Sequence, residues 1–183
     1  MLHHISRRGF LSATAGFLTL PVIAQVSGCK GDAPPEPEKK FFQDPKFELL
    51  DLALQHEFGA VVQYGNHAGI IASLNQDSDG SIRDIIKDII GHEVQHAILL
   101  TKILKNHNIE PTVAVWPPQT ADTADKMIKK DIAAESGAIK LYQQILTLDF
   151  DYNTKTTIER IMHSEETHHN IFTGILPQLE AAQ

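Results

Sequence analysis

Glu93 and His96 are the pair whose types and spacing first indicate chemistry, because together they could bind a metal ion. They lie within the segment Asp88 to Leu104, which reads as a long amphipathic helix. Residues three apart share one helix face, so both side chains should point at the same place. The neighbours on that face are apolar, and burying an unpaired carboxylate among them is costly unless a partner compensates it. The surrounding stripe is Ile82, Ile86, Ile89, Leu100 and Ile103.

Three other predicted helices carry acidic residues on their own apolar stripes. The first, about Pro45 to Leu74, carries Glu57, and the third, about Ala121 to Asp149, carries Glu135. The fourth, about Thr154 to Leu176, repeats the Glu-x-x-His pattern at Glu165 and His168.

The fourth helix holds a second, overlapping copy of the pattern at Glu166 and His169. Glu165 and His168 share a stripe with Ile161 and Phe172, whereas the second copy shares a face with polar residues. Periodicity therefore predicts that the first copy points inward and that the second faces solvent.

Two divalent cations would neutralise four buried glutamates, and two neutral imidazoles would give each metal one nitrogen ligand. This mixture of carboxylate and imidazole favours iron or manganese. The alternative is that these groups pair with lysine or arginine, or face water, but the apolar stripes contain neither basic residue. The predicted ligands are Glu57, Glu93, His96, Glu135, Glu165 and His168.

The pattern of helices indicates an all-α, four-helix bundle spanning residues 45–183. Residues 75–81 are rich in turn formers, and Ser81 could cap the second helix. Residues 109–120 contain three prolines and cannot be helical. This segment is long for a turn between neighbouring helices, so it predicts a crossover connection between helices two and three.

The first 29 residues read as an export signal. Arg7 and Arg8 precede a moderately apolar run, an arrangement similar to a twin-arginine signal. Cys29, the single cysteine, ends a segment that resembles a lipobox, so lipid on Cys29 would hold a periplasmic protein at the membrane. The alternatives are a transmembrane anchor after a chance arginine pair, and a signal without lipid. Residues 30–44 are charged and proline-rich, which is typical of a disordered tether.

Composition narrows the function further. A chain of 183 residues is enough for one domain with a substantial core. The net charge of −7 argues against a nucleic-acid partner. A single cysteine excludes both an internal disulfide and a Cys-x-x-Cys site.

These motifs resemble the ferritin-like superfamily, in particular bacterioferritin and rubrerythrin. The family pattern of Glu, Glu-x-x-His, Glu and Glu-x-x-His falls on the six predicted ligands, one element per helix, and covers about Pro45 to Leu179. The resemblance implies a di-iron centre in which Glu93 and Glu165 bridge and Glu57 and Glu135 are terminal ligands. A homodimer is the family expectation. Val94 occupies the position of the haem-ligating methionine of bacterioferritin, so haem is not expected.

Other residues also match the family. Gln63 and Tyr64 are similar to a Gln-Tyr pair near the bacterioferritin site, which makes Tyr64 a candidate catalytic residue. Asp131 matches a family acid one turn before Glu135. The alternative for these residues is ordinary polar packing between helices.

The resemblance implies an exported protein that binds iron and oxidises Fe(II) with oxygen or hydrogen peroxide. Two other readings remain open: a manganese catalase or donor-dependent peroxidase, and a non-catalytic metal-binding protein of the cell envelope. Six histidines fall outside the apolar stripes and are expected mostly at the surface, although two of them, His92 and His163, could support the site. These are His56, His67, His92, His107, His163 and His169.

Overall fold

The computed structural model of the chain describes residues 42, 44–74, 77, 79–113 and 116–181. The predicted signal, and all of the predicted tether except Phe42 and Asp44, lie outside these residues. The described part contains four long helices and no strand, which confirms the all-α prediction. The helices are α1 (Pro45–Ser73), α2 (Ser81–Asn106), α3 (Ala124–Leu146) and α4 (Tyr152–Ala181).

The four helices form a bundle with a crossover. Helix α1 packs against α2, and α3 packs against α4; the two pairs meet through α1 with α3 and α2 with α4. Consecutive helices α2 and α3 therefore lie on a diagonal, joined by the connection 107–123. This is the predicted crossover. No helix in the described part of the chain is long and apolar enough to cross a membrane.

The N-termini of α1 and α2 are both capped by aspartate side chains, and the cap of α2 differs from the one that the sequence predicts. Asp44 caps α1, because its carboxylate accepts from the backbone N–H of Lys46 at 3.0 Å. Ser81 was expected to cap α2, but Gly80 holds that position with a positive φ of 76°. Asp77 supplies the cap from farther upstream, accepting from the N–H groups of residues 82 and 83 at 3.0 and 2.9 Å.

Helix α4 is longer than predicted, since it continues through Pro177 to Ala181. Proline has no N–H to donate to the carbonyl four residues earlier, so it normally ends a helix. Here Leu179, which is 1% exposed, packs into the apolar core with Phe172 and Ile175. Burial of this leucine offsets the lost hydrogen bond. Helix α3 is shorter than predicted and ends at Leu146 rather than near Asp149.

The core consists of two apolar clusters with a polar layer between them. On each helix the apolar residues of one cluster stop just before the predicted ligands, and those of the other begin just after them. On α1, for example, Leu54 belongs to the first cluster and Ala60 to the second, with Glu57 between. The sequence therefore places its buried charges in the middle of the bundle, away from both ends.

Buried polar side chains of α1 hydrogen-bond to the backbone of the crossover connection. The carboxylate of Asp51 accepts from the backbone N–H of Thr112 at 2.7 Å. Nearer the other end, His67 donates from Nε2 to the carbonyl of Gln119 at 2.7 Å, while its Nδ1 lies 2.9 Å from Asp131. His67 and Asp131 are both fully buried, so this network secures the connection to α1 and α3 together.

Replacing Asp131 with alanine should destabilise the bundle by about 3 kcal/mol, because two buried partners lose their acceptor. Those partners are His67 and Gln63, whose Nε2 donates to Asp131 at 2.8 Å. Urea unfolding of the metal-free protein measures the change. The matched control, Asp122→Ala, removes an exposed carboxylate paired with Lys126 and should leave the midpoint unchanged. Equal midpoints for the two variants would contradict the network's structural role.

Candidate metal centre

The polar layer contains all six residues that the sequence nominates as ligands. Each lies near the middle of its helix and is almost completely buried: His96 is 6% exposed and the other five are 1% exposed. The overlapping pair Glu166 and His169 is only half-buried, as the periodicity predicts. Packing thus brings four carboxylates and two imidazoles to one point.

The six side chains form two groups that share two members. One group is Glu57, Glu93, His96 and Glu165; the other is Glu93, Glu135, Glu165 and His168. Within each group, one ligand atom per residue lies within 4.8 Å of every other. Glu93 and Glu165 belong to both groups, which is the arrangement required for carboxylates that bridge two cations.

Each histidine points its Nδ1 into a cluster of carboxylate oxygens. The Nδ1 of His96 lies 2.9 Å from Glu165 Oε1, 3.2 Å from Glu93 Oε2 and 3.4 Å from Glu57 Oε2.

His168 has the matching arrangement in the second group. Its Nδ1 lies 2.9 Å from Glu93 Oε1, 3.0 Å from Glu165 Oε2 and 3.8 Å from Glu135 Oε1. In both groups, therefore, one nitrogen faces an oxygen from each of three glutamates.

A single N–H cannot satisfy three oxygens, so the cluster has more acceptors than donors. Three buried oxygens of this cluster have no well-aligned hydrogen bond: Glu57 Oε2, Glu93 Oε1 and Glu165 Oε1. The buried charged and polar residues of the described chain include no lysine or arginine. Buried oxygens without donors are costly, and bound cations would satisfy them. The donor set thus fits a pair of hard or borderline metal ions.

The four carboxylates fall into two pairs, one with raised and one with lowered pKa values. Burial, together with the negative charges of Glu165 and Glu93, raises the pKa of Glu57 well above its ordinary value. Burial and the same two charges likewise raise the pKa of Glu135. Burial would also raise the pKa of Glu93 and Glu165, but hydrogen bonds from His168 and His96 outweigh it, and both pKa values lie below the ordinary one.

The imidazoles compensate the ionised carboxylates. Burial would lower the pKa of His96, but hydrogen bonds to Glu165, Glu57 and Glu93 raise it to about 12. Burial likewise opposes the charged form of His168, and hydrogen bonds to Glu165 and Glu93 raise its pKa to about 9. Two imidazolium groups thus balance two carboxylates in the metal-free cluster.

Each glutamate that belongs to only one group accepts a hydrogen bond from a buried tyrosine on the opposite helix pair. The Oη of Tyr64 on α1 donates to Glu135 Oε1 on α3 at 2.7 Å. The Oη of Tyr142 on α3 donates to Glu57 Oε1 on α1. Tyr142 was not predicted, because on its helix it reads as one more core residue. The signal is that each tyrosine follows its own helix's glutamate by seven residues.

Three of the remaining histidines differ in burial and in the groups that they contact. His67 is fully buried, so the expectation that it lies at the surface is wrong. His92 lies at the exposed side of α2, and its ring lies edge to edge with that of His168, with the centroids 5.2 Å apart and Nδ1 3.0 Å from His168 Nε2. His163 is mostly exposed and pairs with Glu166 at 2.9 Å.

Comparison with known proteins agrees with this fold. A bacterioferritin from Desulfovibrio desulfuricans, solved with its diiron site in different catalytic states, has a similar structure with a TM-score of 0.68. The two chains are 23% identical over 75% of this chain and 81% of that one, a similarity that establishes the fold. A search of curated proteins gave no match. The rubrerythrin family model matches residues 48–176. Because that match covers more than two-thirds of the chain, the protein belongs to the rubrerythrin family.

Proposed function

We propose that the polar layer binds two metal ions, and that iron is the metal in the working protein. The observation that carries the proposal is that Glu93 and Glu165 belong to both groups of candidate ligands. In this arrangement Glu57 and His96 complete one position, and Glu135 and His168 complete the other. The bacterioferritin of similar fold has a diiron site, which supports the same metal here.

The donor set narrows the choice of metal without deciding between iron and manganese. Carboxylate and imidazole ligands without thiolate suit both, whereas softer metals prefer sulfur. Four carboxylates also match the charge of two divalent cations, so no further counter-ion is needed in the buried layer.

The reaction we propose is the oxidation of Fe(II) by hydrogen peroxide or oxygen. Two ferrous ions give up one electron each; with two protons they reduce one hydrogen peroxide to two waters, or one oxygen to one hydrogen peroxide. When bound, the metal pair supplies these electrons and stabilises the negative charge that develops on the oxidant. The protein's part is to hold the ligands. Tyr64 and Tyr142 fix the outer glutamates, Glu57 and Glu135, which each belong to one group only. The two apolar clusters on either side of the polar layer restrict the access of water to it.

Anaerobic loading with ferrous iron, followed by oxygen or peroxide, tests this reaction. We expect about two Fe(II) consumed per oxidant molecule and the appearance of a di-ferric absorption band. Manganese-loaded protein that disproportionates peroxide, with no oxidation of iron, would instead favour a catalase. Metal binding with no consumption of either oxidant would indicate a non-catalytic metal-binding protein.

Tyr64 and Tyr142 should act as positioning residues for the two metal positions separately. Tyr64→Phe removes the hydrogen bond to Glu135, and Tyr142→Phe removes the hydrogen bond to Glu57. Loss of such a partner typically weakens metal binding about 10–100-fold. Each variant should weaken one of the two binding steps in a Co(II) titration and spare the other. Weakening of both steps by either variant would contradict this division.

We also propose that the protein is exported and held at the membrane by lipid on Cys29. The support is the sequence alone, with Arg7 and Arg8 before an apolar run that ends at the single cysteine. Replacing both arginines with lysine should leave the protein in the cytoplasm on cell fractionation. Cys29→Ser should release an exported but soluble form. Unchanged membrane association in both variants would argue against the proposal.

A further inference from the structure

The ring of His168 is held from both sides. Its Nδ1 faces the carboxylates, while its Nε2 lies 3.0 Å from His92 Nδ1 and 3.3 Å from Ser164 Oγ. The rings of His92 and His168 are nearly parallel, at 7°, with centroids 5.2 Å apart. The hydrogen bond at the outer nitrogen, made between two rings that lie edge to edge, fixes both the position and the rotation of this imidazole.

His96, the equivalent residue of the other group, lacks this support. No described residue makes a comparable hydrogen bond to its Nε2. Its side chain is 8% exposed, compared with 1% for His168. The outer glutamates do not produce this difference, because Glu57 and Glu135 each accept from a buried tyrosine. The asymmetry of the centre therefore lies in its two histidines.

We propose that His92 is a positioning residue that makes the two metal positions unequal. The position formed with Glu135 and His168 binds its metal first and more tightly, and the position formed with Glu57 and His96 exchanges metal with solvent. This inference rests on the proposed two-metal function. To that function it adds the order in which the two metal ions bind and names His92 as the residue that sets this order.

The physical basis is preorganisation of the ligand. Hydrogen bonding at the outer nitrogen orients a metal-binding histidine and selects the tautomer whose other nitrogen is free to bind. His168 would bind without losing further rotational freedom, whereas His96 must give up some of its own. Because His92 lies at the exposed side of α2, its replacement opens no cavity in the core.

Titration of the whole metal-free protein with Co(II), followed by its visible absorption, tests the proposal. Wild type should bind two ions in two resolved steps. His92→Phe keeps an aromatic ring at this position but removes the hydrogen bond, so the first step should weaken about 10–100-fold and the second should change little. His92→Gln, which restores a polar partner, should recover part of the loss. The matched control is His163→Phe, an exposed histidine of α4, which should titrate like wild type.

A second measurement follows the ring itself. In the metal-free protein, the Nε2–H of His168 should give a sharp, slowly exchanging ¹H–¹⁵N signal in wild type, and a broad, rapidly exchanging signal in His92→Phe. An unchanged first step, or equal weakening of both steps, would overturn the role of His92. Two equal affinities in wild type would overturn the order of loading, whereas failure of wild type to bind any metal would refute the proposed function itself.

Discussion

Glu93→Ala should abolish the binding of both metal ions, whereas Glu57→Ala should abolish only one. Glu93 contributes oxygens to both groups of ligands, and Glu57 contributes to one. Metal analysis after desalting should therefore give about two ions per chain for wild type, about one for Glu57→Ala and about none for Glu93→Ala. The di-ferric absorption band should disappear in the Glu93 variant.

The two variants control for each other, because each removes one buried carboxylate from the same layer. Both should retain the helical circular dichroism of wild type, since neither residue belongs to the two apolar clusters that hold the bundle together. Equal stoichiometry in the two variants would contradict the bridging role of Glu93. An unchanged ferric band in Glu93→Ala would refute the site assignment.

Binding of two divalent cations should release about four protons at neutral pH. The raised pKa values of Glu57 and Glu135 favour their protonated forms in the metal-free protein. His96 and His168, with pKa values raised to about 12 and about 9, are also protonated there. All four must lose a proton to become ligands, and the total charge of the layer then stays unchanged.

The sign of the pH dependence follows from this exchange. Ligands that hold protons compete with metal, so affinity should rise as pH rises through the range below about 9 and fall as the solution becomes acidic. Calorimetry in buffers of different ionisation enthalpy measures the number of protons released. Affinity independent of pH between 6 and 8, with no proton release, would contradict the charge state described for the cluster.

The glutamates of the site could be found from sequence because they break an apolar pattern. Glu57, Glu93, Glu135 and Glu165 stand where the helical period calls for a hydrophobic residue, and each is 1% exposed in the structure. The same period separated Glu165 from Glu166, which is half-buried. Burial cost is a local property of a helix face, and therefore a single sequence is enough to reveal it.

Residues whose role depends on a distant partner could not be found in the same way. Tyr142 fits the apolar stripe of α3, and only its hydrogen bond to Glu57, on another helix, distinguishes it. His67 was placed outside the apolar stripe of the first helix. The structure instead buries Ala60 and His67 and leaves Val61 half-buried. A small error in helical phase therefore moved a buried histidine to the predicted surface.

The end of α4 and the cap of α2 also differ from what the residues at those boundaries predict. Pro177 predicts a stop, but Leu179 is drawn into the core and extends α4 past it. Asp77 caps α2 from outside the position where Ser81 was expected to act. At Pro177 a contact from elsewhere in the fold outweighs the propensity of the residue at the boundary, whereas the cap of α2 comes from a residue a short way upstream in the chain.

Anomalous scattering from crystals of iron-loaded protein tests the central claim most directly. The account predicts two metal peaks inside the bundle: one bounded by Glu57 and His96, the other by Glu135 and His168, with Glu93 and Glu165 in contact with both. A single peak in the layer, or peaks only at surface carboxylates, would contradict it.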